Sequence, residues 1–170
     1  MEPRKPSGSF TLMTEIVLPN DTNTLGNLMG GRLLHLMDIA SAISATRHSN
    51  RTVVTASVDF VDFKSPIKLA EIVILEAKVT RSFNTSMEVR IDVWAENLIE
   101  NKRRPCNSAY YTFVAVDQIG RPIPVHPINP ETEEEKKLYE GAIRRRELRL
   151  ILSGRMKKEE AINVKSYFLE

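Results

Sequence analysis

Gly30-Gly31-Arg32-Leu33-Leu34-His35-Leu36-Met37-Asp38-Ile39-Ala40-Ser41-Ala42-Ile43-Ser44-Ala45-Thr46 is the stretch on which the fold turns. Two glycines open it, and apolar residues follow at Leu33, Leu34, Leu36, Met37, Ile39, Ala40, Ala42, Ile43 and Ala45. At 100° per residue these positions run nearly all the way round. The pattern therefore predicts a helix to about Thr46 that is buried rather than amphipathic. Its second half consists of small side chains, Ala40 to Ala45, which lets a sheet approach the backbone closely.

Outward from this helix the period changes. Upstream, Ser9 to Leu18 reads as a strand stopped by Pro19, and residues 1–8 as a loose polar tail. The loop from Asn20 to Met29 is dense in side chains that make turns and caps. Downstream, Thr52 to Phe60 is β-branched, Glu71 to Thr80 alternates in part, and Met87 to Ala95 alternates cleanly. The short polar link Ser82 to Ser86 makes the last two a hairpin. Cys106 to Val116 is the final strand, closed by Gln118-Ile119-Gly120. One buried helix followed by antiparallel strands predicts an α+β domain over residues 9–130, with a curved sheet wrapped around a central helix. Residues 131–170 read as a charged helical extension. Its acids Glu131 to Glu135 suit a helix N-terminus, and Arg144-Arg145-Arg146 reads as a solvated face or else as a phosphate or subunit contact.

Composition excludes several classes. The 170 residues are 42% hydrophobic and 27% charged with a net charge of +2, so no nucleic-acid partner is expected. One cysteine, Cys106, cannot form an intramolecular disulfide, and no Cys/His cluster has metal-ligand spacing. Neither a metal nor any other cofactor is expected. The first residues lack the apolar run of a signal peptide, and no segment is long enough to cross a bilayer, which predicts a cytoplasmic protein.

The chemistry-bearing residues gather around the helix. Asp38 is the only acid between Asp21 and Asp59, and it is flanked by Leu36-Met37 and Ile39-Ala40. An ionised carboxylate there is strongly unfavourable unless compensated. It lies on a wet stripe, pairs with a cation such as Lys64 or Arg81, or performs catalysis. His35, one turn earlier, reads as a satisfied core residue. The pair Gly30-Gly31 is either a backbone device for a tight entry turn or a surface that lets a substrate reach the free N–H groups of the helix start, which suit an oxyanion. From Gly31 to Asp38 is roughly 10 Å along a helix, too far for both to touch one reacting atom in an ideal single helix.

Asp21-Thr22-Asn23, Gly26-Asn27, Gly30-Gly31 and Leu36-Met37-Asp38 together resemble the acyl-CoA hydrolase branch of the hot-dog thioesterases. So do Arg47-His48, Val53 to Asp59, Phe63-Lys64-Ser65-Pro66-Ile67, Ser86 to Val89, Thr112 to Asp117 and Pro130 to Glu135. The resemblance runs from about residue 10 to 140 and includes the bacterial YciA type and the brain and cytosolic acyl-CoA thioesterases. It implies a hot-dog domain that dimerises with composite active sites, commonly as a trimer of dimers, hence a homohexamer. It implies an acid on the helix and an asparagine from the partner's loop as the catalytic groups, which map onto Asp38 and Asn23.

The expected activity is hydrolysis of acyl-CoA to fatty acid and CoA. Asp38 would act as general base on water, or else attack directly through a mixed anhydride, and Asn23 would orient water or carbonyl. N–H groups near Gly30 and Gly31 would hold the oxyanion. Lys64, Arg81 and the loop residues Asn84, Thr85 and Ser86 are the candidates for CoA phosphates. The alternative is a non-catalytic acyl-CoA binding or sensor protein. A hot-dog dehydratase is disfavoured because the motif around Gly30 offers no histidine at the loop position.

Overall fold

The computed structural model describes residues 1–169. It divides into two compact units, Met1–Asn129 and Pro130–Glu170. The first contains β1 (Thr11–Ile16), α1 (Gly30–Ser49), β2 (Thr52–Asp59), β3 (Ile72–Ser82), β4 (Ser86–Asn97) and β5 (Lys102–Val116). All strand pairs are antiparallel, in the order β1-β3-β4-β5-β2. One sheet face carries Val73, Leu75, Ala77 and Val79 of β3, Met87, Val89, Ile91 and Val93 of β4, and Ala109, Tyr111 and Phe113 of β5, all buried. Against it α1 lays Leu33, Leu36, Met37, Ala40 and Ala45. This is the hot-dog arrangement, and the hairpin of β3 and β4 forms where the polar link placed it.

The helix departs from expectation in two ways. It runs to Ser49, three residues beyond Thr46, because Asn50 adopts a left-handed conformation (φ 51°) and returns its N–H to the Thr46 carbonyl at 2.7 Å. It is also not buried all round. His35, Ile39 and Ile43 are exposed, so His35 is no core residue. The reason is geometric: one sheet can cover only one side of a helix, and an apolar pattern around the whole cylinder does not say which side.

The amino-terminal residues are not a loose tail. Arg4 donates its backbone N–H to Pro127 and accepts from Asn129, both at 2.8 Å. Its guanidinium donates to the carbonyls of Arg47 and His48, placing a cation on the unsatisfied carbonyl end of α1. Ser9 is fully buried in a short 3-10 turn, Pro6–Ser9, and its hydroxyl accepts the Val79 N–H at 2.9 Å beside an irregularity in β3. The first strand is correspondingly shorter than Ser9 to Leu18. At the other extreme β5 begins at Lys102 rather than Cys106, because Pro105 sits at a register shift opposite Trp94. A proline that cannot donate to a ladder is tolerated at such a bulge.

The second unit contains α2 (Glu133–Leu152) and α3 (Ile162–Leu169). Thr132 caps α2: it accepts the Glu135 N–H at 3.1 Å while the Glu135 carboxylate accepts the Thr132 N–H at 3.2 Å. Glu147 of α2 in turn accepts from the Val164 N–H at 2.9 Å and from the Asn163 amide, tying the start of α3 to the middle of α2. Among the described residues no helix is long and apolar enough to cross a membrane.

Candidate active site

Asp38 lies in the third turn of α1, at the edge between the face that packs on the sheet and the face that does not. It is half-buried. Among the described residues its hydrogen-bond partner is neither Lys64 nor Arg81. Its Oδ1 accepts a hydrogen bond from the Thr55 hydroxyl at 2.8 Å, across a separation of 17 residues. Thr55 is carried by β2, the edge strand, just before a β-bulge between Thr55 and Ser57. Tyr111 of β5 lies below. Its hydroxyl donates a long hydrogen bond to the Leu34 carbonyl at 3.4 Å, and burial together with the Asp38 charge pushes its pKa up to about 12. Tyr111 therefore stays a neutral donor under ordinary conditions.

The pattern reading does not single out Thr55. A threonine in a β-branched run reads as a strand former, and its meeting with Asp38 depends on how β2 docks beside α1. The one local signal is the small polar run Thr55-Ala56-Ser57, which interrupts the apolar alternation of that strand.

The glycines occupy the first turn of α1, where no side chain caps the helix. Gly30 lies against the Phe63 ring, so that an added Cβ would stand 3.4 Å from the ring edge. Gly31 has open space where a side chain would be, and neither residue has a positive φ. No left-handed turn demands these glycines. Their effect is to leave the N-terminal backbone of the helix bare.

Asn23 sits in a closed loop ahead of α1. Its side-chain oxygen accepts from the Leu25 N–H at 2.9 Å and the Asn27 N–H at 3.2 Å, and its own N–H donates to the Asn27 carbonyl at 2.8 Å. Gly26 supports this turn with φ 72°, a conformation that favours glycine. Because the amide oxygen is engaged, the exposed NH₂ is the group the loop presents outward. Within one protomer no hydrogen bond joins Asn23 to Asp38 among the described residues.

The five residues assigned to CoA phosphates do not converge in one protomer. Lys64 is exposed and precedes the Ser65–Ala70 segment that leads into β3. Arg81 lies at the opposite end of that strand, about 30 Å along it from Ile72, with its guanidinium over the Phe83 ring at 5.6 Å from the centroid. The hairpin loop beside it is fixed by its backbone. The Asn84 carbonyl accepts from Val125 at 3.0 Å, Thr85 from Ala115 at 2.9 Å, and Ser86 from Phe83 at 2.8 Å. Among the described residues no group of three or more His, Cys, Asp or Glu side chains is placed to hold a metal.

Apolar surface surrounds the site. Ile39 and Ile43 on α1, Val54 and Val58 on β2, and Phe60 and Phe63 in the following loop are all exposed. β2 itself is an edge with unpaired backbone groups.

Residues 25–100 match the thioesterase superfamily. The chain is 43% identical over 137 residues to the uncharacterized acyl-CoA thioester hydrolase YkhA of Bacillus subtilis, covering 81% of this chain and 80% of that one. Some relatives are longer: the chain is 37% identical to the rat cytosolic acyl coenzyme A thioester hydrolase but spans 37% of its length. Among solved structures, an apo-hexameric acyl-CoA thioesterase superposes with a TM-score of 0.87 at 42% identity, covering 90% of this chain and 98% of that one. An acyl-CoA hydrolase from Staphylococcus aureus, in complex with butyryl coenzyme A, coenzyme A and coenzyme A disulfide, superposes with a TM-score of 0.81 at 34% identity, covering 98% and 99%. The same enzyme has been solved with an aspartate, an asparagine or a threonine replaced by alanine. By its relatives and its fold, the chain belongs to the acyl-CoA thioester hydrolases of the thioesterase superfamily.

Proposed function

We propose that this chain hydrolyses acyl-CoA to a free fatty acid and CoA in composite sites, with Asp38 as the catalytic carboxylate and Asn23 supplied by a second copy. The observation that carries the reading is the Asp38–Thr55 pair. One carboxylate oxygen is held by a hydroxyl at 2.8 Å, leaving the other available at the margin of an apolar helix. The three residues replaced in the S. aureus enzyme support it. Its asparagine and aspartate are 15 residues apart and its aspartate and threonine 17 apart, and Asn23, Asp38 and Thr55 stand at the same two spacings.

In this mechanism Asp38 takes a proton from water as the water oxygen attacks the thioester carbonyl carbon. Charge moves to the carbonyl oxygen, where the N–H groups of Gly30 and Gly31 of the second copy and that helix's dipole receive it, since within one helix these groups stand roughly 10 Å from Asp38. The C–S bond then breaks, and the proton held by Asp38 passes to the departing CoA sulfur. Thr55 fixes the carboxylate rotamer. The partner's loop presents an NH₂ donor to the water or the carbonyl, which accounts for an asparagine whose oxygen is consumed by its own turn. Direct attack by Asp38 through a mixed anhydride is the competing route.

The exposed apolar surface of α1 and β2 is assigned to the dimer contact, with three dimers forming a hexamer. A solved neighbour of the chain is hexameric. CoA phosphates are assigned to Lys64 of one protomer and to Arg81 with the Asn84-Thr85-Ser86 loop of another, since one protomer holds them at opposite ends of β3. A cytoplasmic location follows the rat relative, which is named as cytosolic.

The test is release of CoA thiol from a panel of acyl-CoAs, wild type beside Asp38→Asn, with folding and assembly checked by circular dichroism and light scattering. Turnover by wild type and a loss of about 10² to 10⁴ in the variant are expected. Undiminished turnover in a folded variant would remove Asp38 from the mechanism. Absence of hydrolysis by wild type, with acyl-CoA still bound, would make the chain a binding protein instead.

A further inference from the structure

Glu71, one residue before β3, is an acid whose burial asks for a reason: its side chain is 7% exposed. Both of its oxygens are engaged by Arg104 of β5, Nη1 to Oε1 and Nη2 to Oε2, each at 2.7 Å. The pair then reaches into the chain segment before it. Arg104 Nη2 also donates to the Pro66 carbonyl at 2.7 Å, and Glu71 Oε2 accepts the Lys68 N–H at 2.8 Å. Between these two anchors and Glu71 lies Ala70 at φ 66°, a left-handed conformation unfavourable for alanine that persists only where its surroundings enforce it.

The clamped segment has a second neighbour. Leu28 donates its N–H to the Ile67 carbonyl at 2.7 Å, Leu69 donates to the Gly26 carbonyl at 2.9 Å, and Asn27 and Lys68 form an antiparallel bridge. Residues 26–28 therefore lie on residues 67–69 as on a short strand. Asn27 and Gly26 are in turn the groups that close the Asn23 turn. Hydrogen bonds joined by short stretches of chain thus lead from the Arg104 guanidinium through residues 66–69 and 26–28 to the side-chain oxygen of Asn23.

An ion pair with one buried partner is a weak source of stability, since desolvation offsets most of its attraction. What a bidentate guanidinium–carboxylate pair supplies is direction. We propose that Arg104 and Glu71 are positioning residues for thioester hydrolysis: their pair sets the Pro66–Leu69 segment, and through it the Asn23 loop, so that the Asn23 amide enters the neighbouring site in register. The inference rests on the catalytic reading of Asn23 given above.

The experiment is a double-mutant cycle between Arg104→Gln and Asn23→Ala, measured as kcat and KM for acyl-CoA hydrolysis by the assembled enzyme. Displacing a reacting group by about 1 Å costs up to about 10²-fold. Arg104→Gln is therefore expected to lower kcat by about ten- to a hundredfold with KM nearly unchanged, and to lower it little further when Asn23 is already alanine. Arg104→Lys leaves Glu71 a cation but cannot serve both oxygens and the Pro66 carbonyl. It keeps the test open should the glutamine variant fail to fold, and is expected to show a smaller loss of the same non-additive kind. Hydrogen exchange at the Leu28 and Leu69 amides should quicken in either variant. Losses that multiply in the double variant would overturn the proposal while leaving Asn23 catalytic, and so would a rise in KM at constant kcat, which would mean Arg104 binds substrate directly. Full activity of Asn23→Ala alone would overturn both readings.

Discussion

The two sides of α1 differ in what covers them. Toward the sheet, Leu33, Leu36, Met37, Ala40 and Ala45 are buried by residues of their own chain, with Met37 and Ala40 wholly inaccessible. Away from it, Ile39 and Ile43 are more than a third exposed, at 36% and 38%, next to the exposed Val54 and Val58 of the edge strand. Asp38 lies at the border. The side closed by the chain itself holds the fold together. The side left open has the composition of a second core without the atoms to fill it, and the proposed catalytic carboxylate stands where the two would meet.

The largest effect expected from disturbing this border is chemical. Asp38→Asn preserves size and hydrogen bonding to Thr55 while removing the proposed base, and should cost about 10² to 10⁴ in kcat with the melting temperature little changed. On the closed side, Met37→Ala should cost about 2 to 5 kcal/mol of stability, read by denaturant unfolding, because the inaccessible site cannot collapse around the lost atoms. On the open side, Ile43→Asp should leave the protomer folded but shift the assembly toward smaller species in sedimentation. Retention of the full assembly would break the contrast between the two sides. Thr55→Val, nearly isosteric, should lower kcat by about tenfold, the equivalent of one hydrogen bond of about 1.4 kcal/mol. The smallest effect concerns acid. Two hydrogen bonds from Arg104 hold the Glu71 carboxyl below its ordinary value of 4.5, so its contribution to stability is present above that value and is lost as pH falls through the lower folded one. Burial pushes the His48 imidazole below 6.5, so protonating it also opposes folding, and stability already declines as pH drops under 6.5. Melting temperature should therefore fall in two stages on acidification, and Arg104→Gln should flatten the lower one.

Those same residues show where sequence patterns carry information and where they stop. The alternation of Met87 to Ala95 marks β4 correctly because a strand's period is a local property. The apolar run around Asp38 marks a helix for the same reason. Pro105 obscured the start of β5, since its cost to the ladder vanishes at a bulge that only the partner strand reveals. Residues 1–8 looked loose because Pro, Ser and Gly favour turns, while Arg4 reaches the end of α1 more than forty residues along the chain.

From its sequence alone this protein was determined as an α+β chain with one apolar helix, an isolated acid upon it, a glycine pair at its start and an asparagine loop before it. Periodicity and turn chemistry act over a few residues, and these features need nothing more. Only the tertiary structure decided which side of the helix is closed, that Thr55 is the partner of Asp38, that the candidate phosphate-binding residues lie at opposite ends of β3, and that Arg104 pairs with Glu71 and bonds to Pro66. Each of these is a contact between residues far apart in the chain. Whether such contacts form depends on strand order, bulges and the docking of a helix on a sheet, none of which leaves a trace in local spacing.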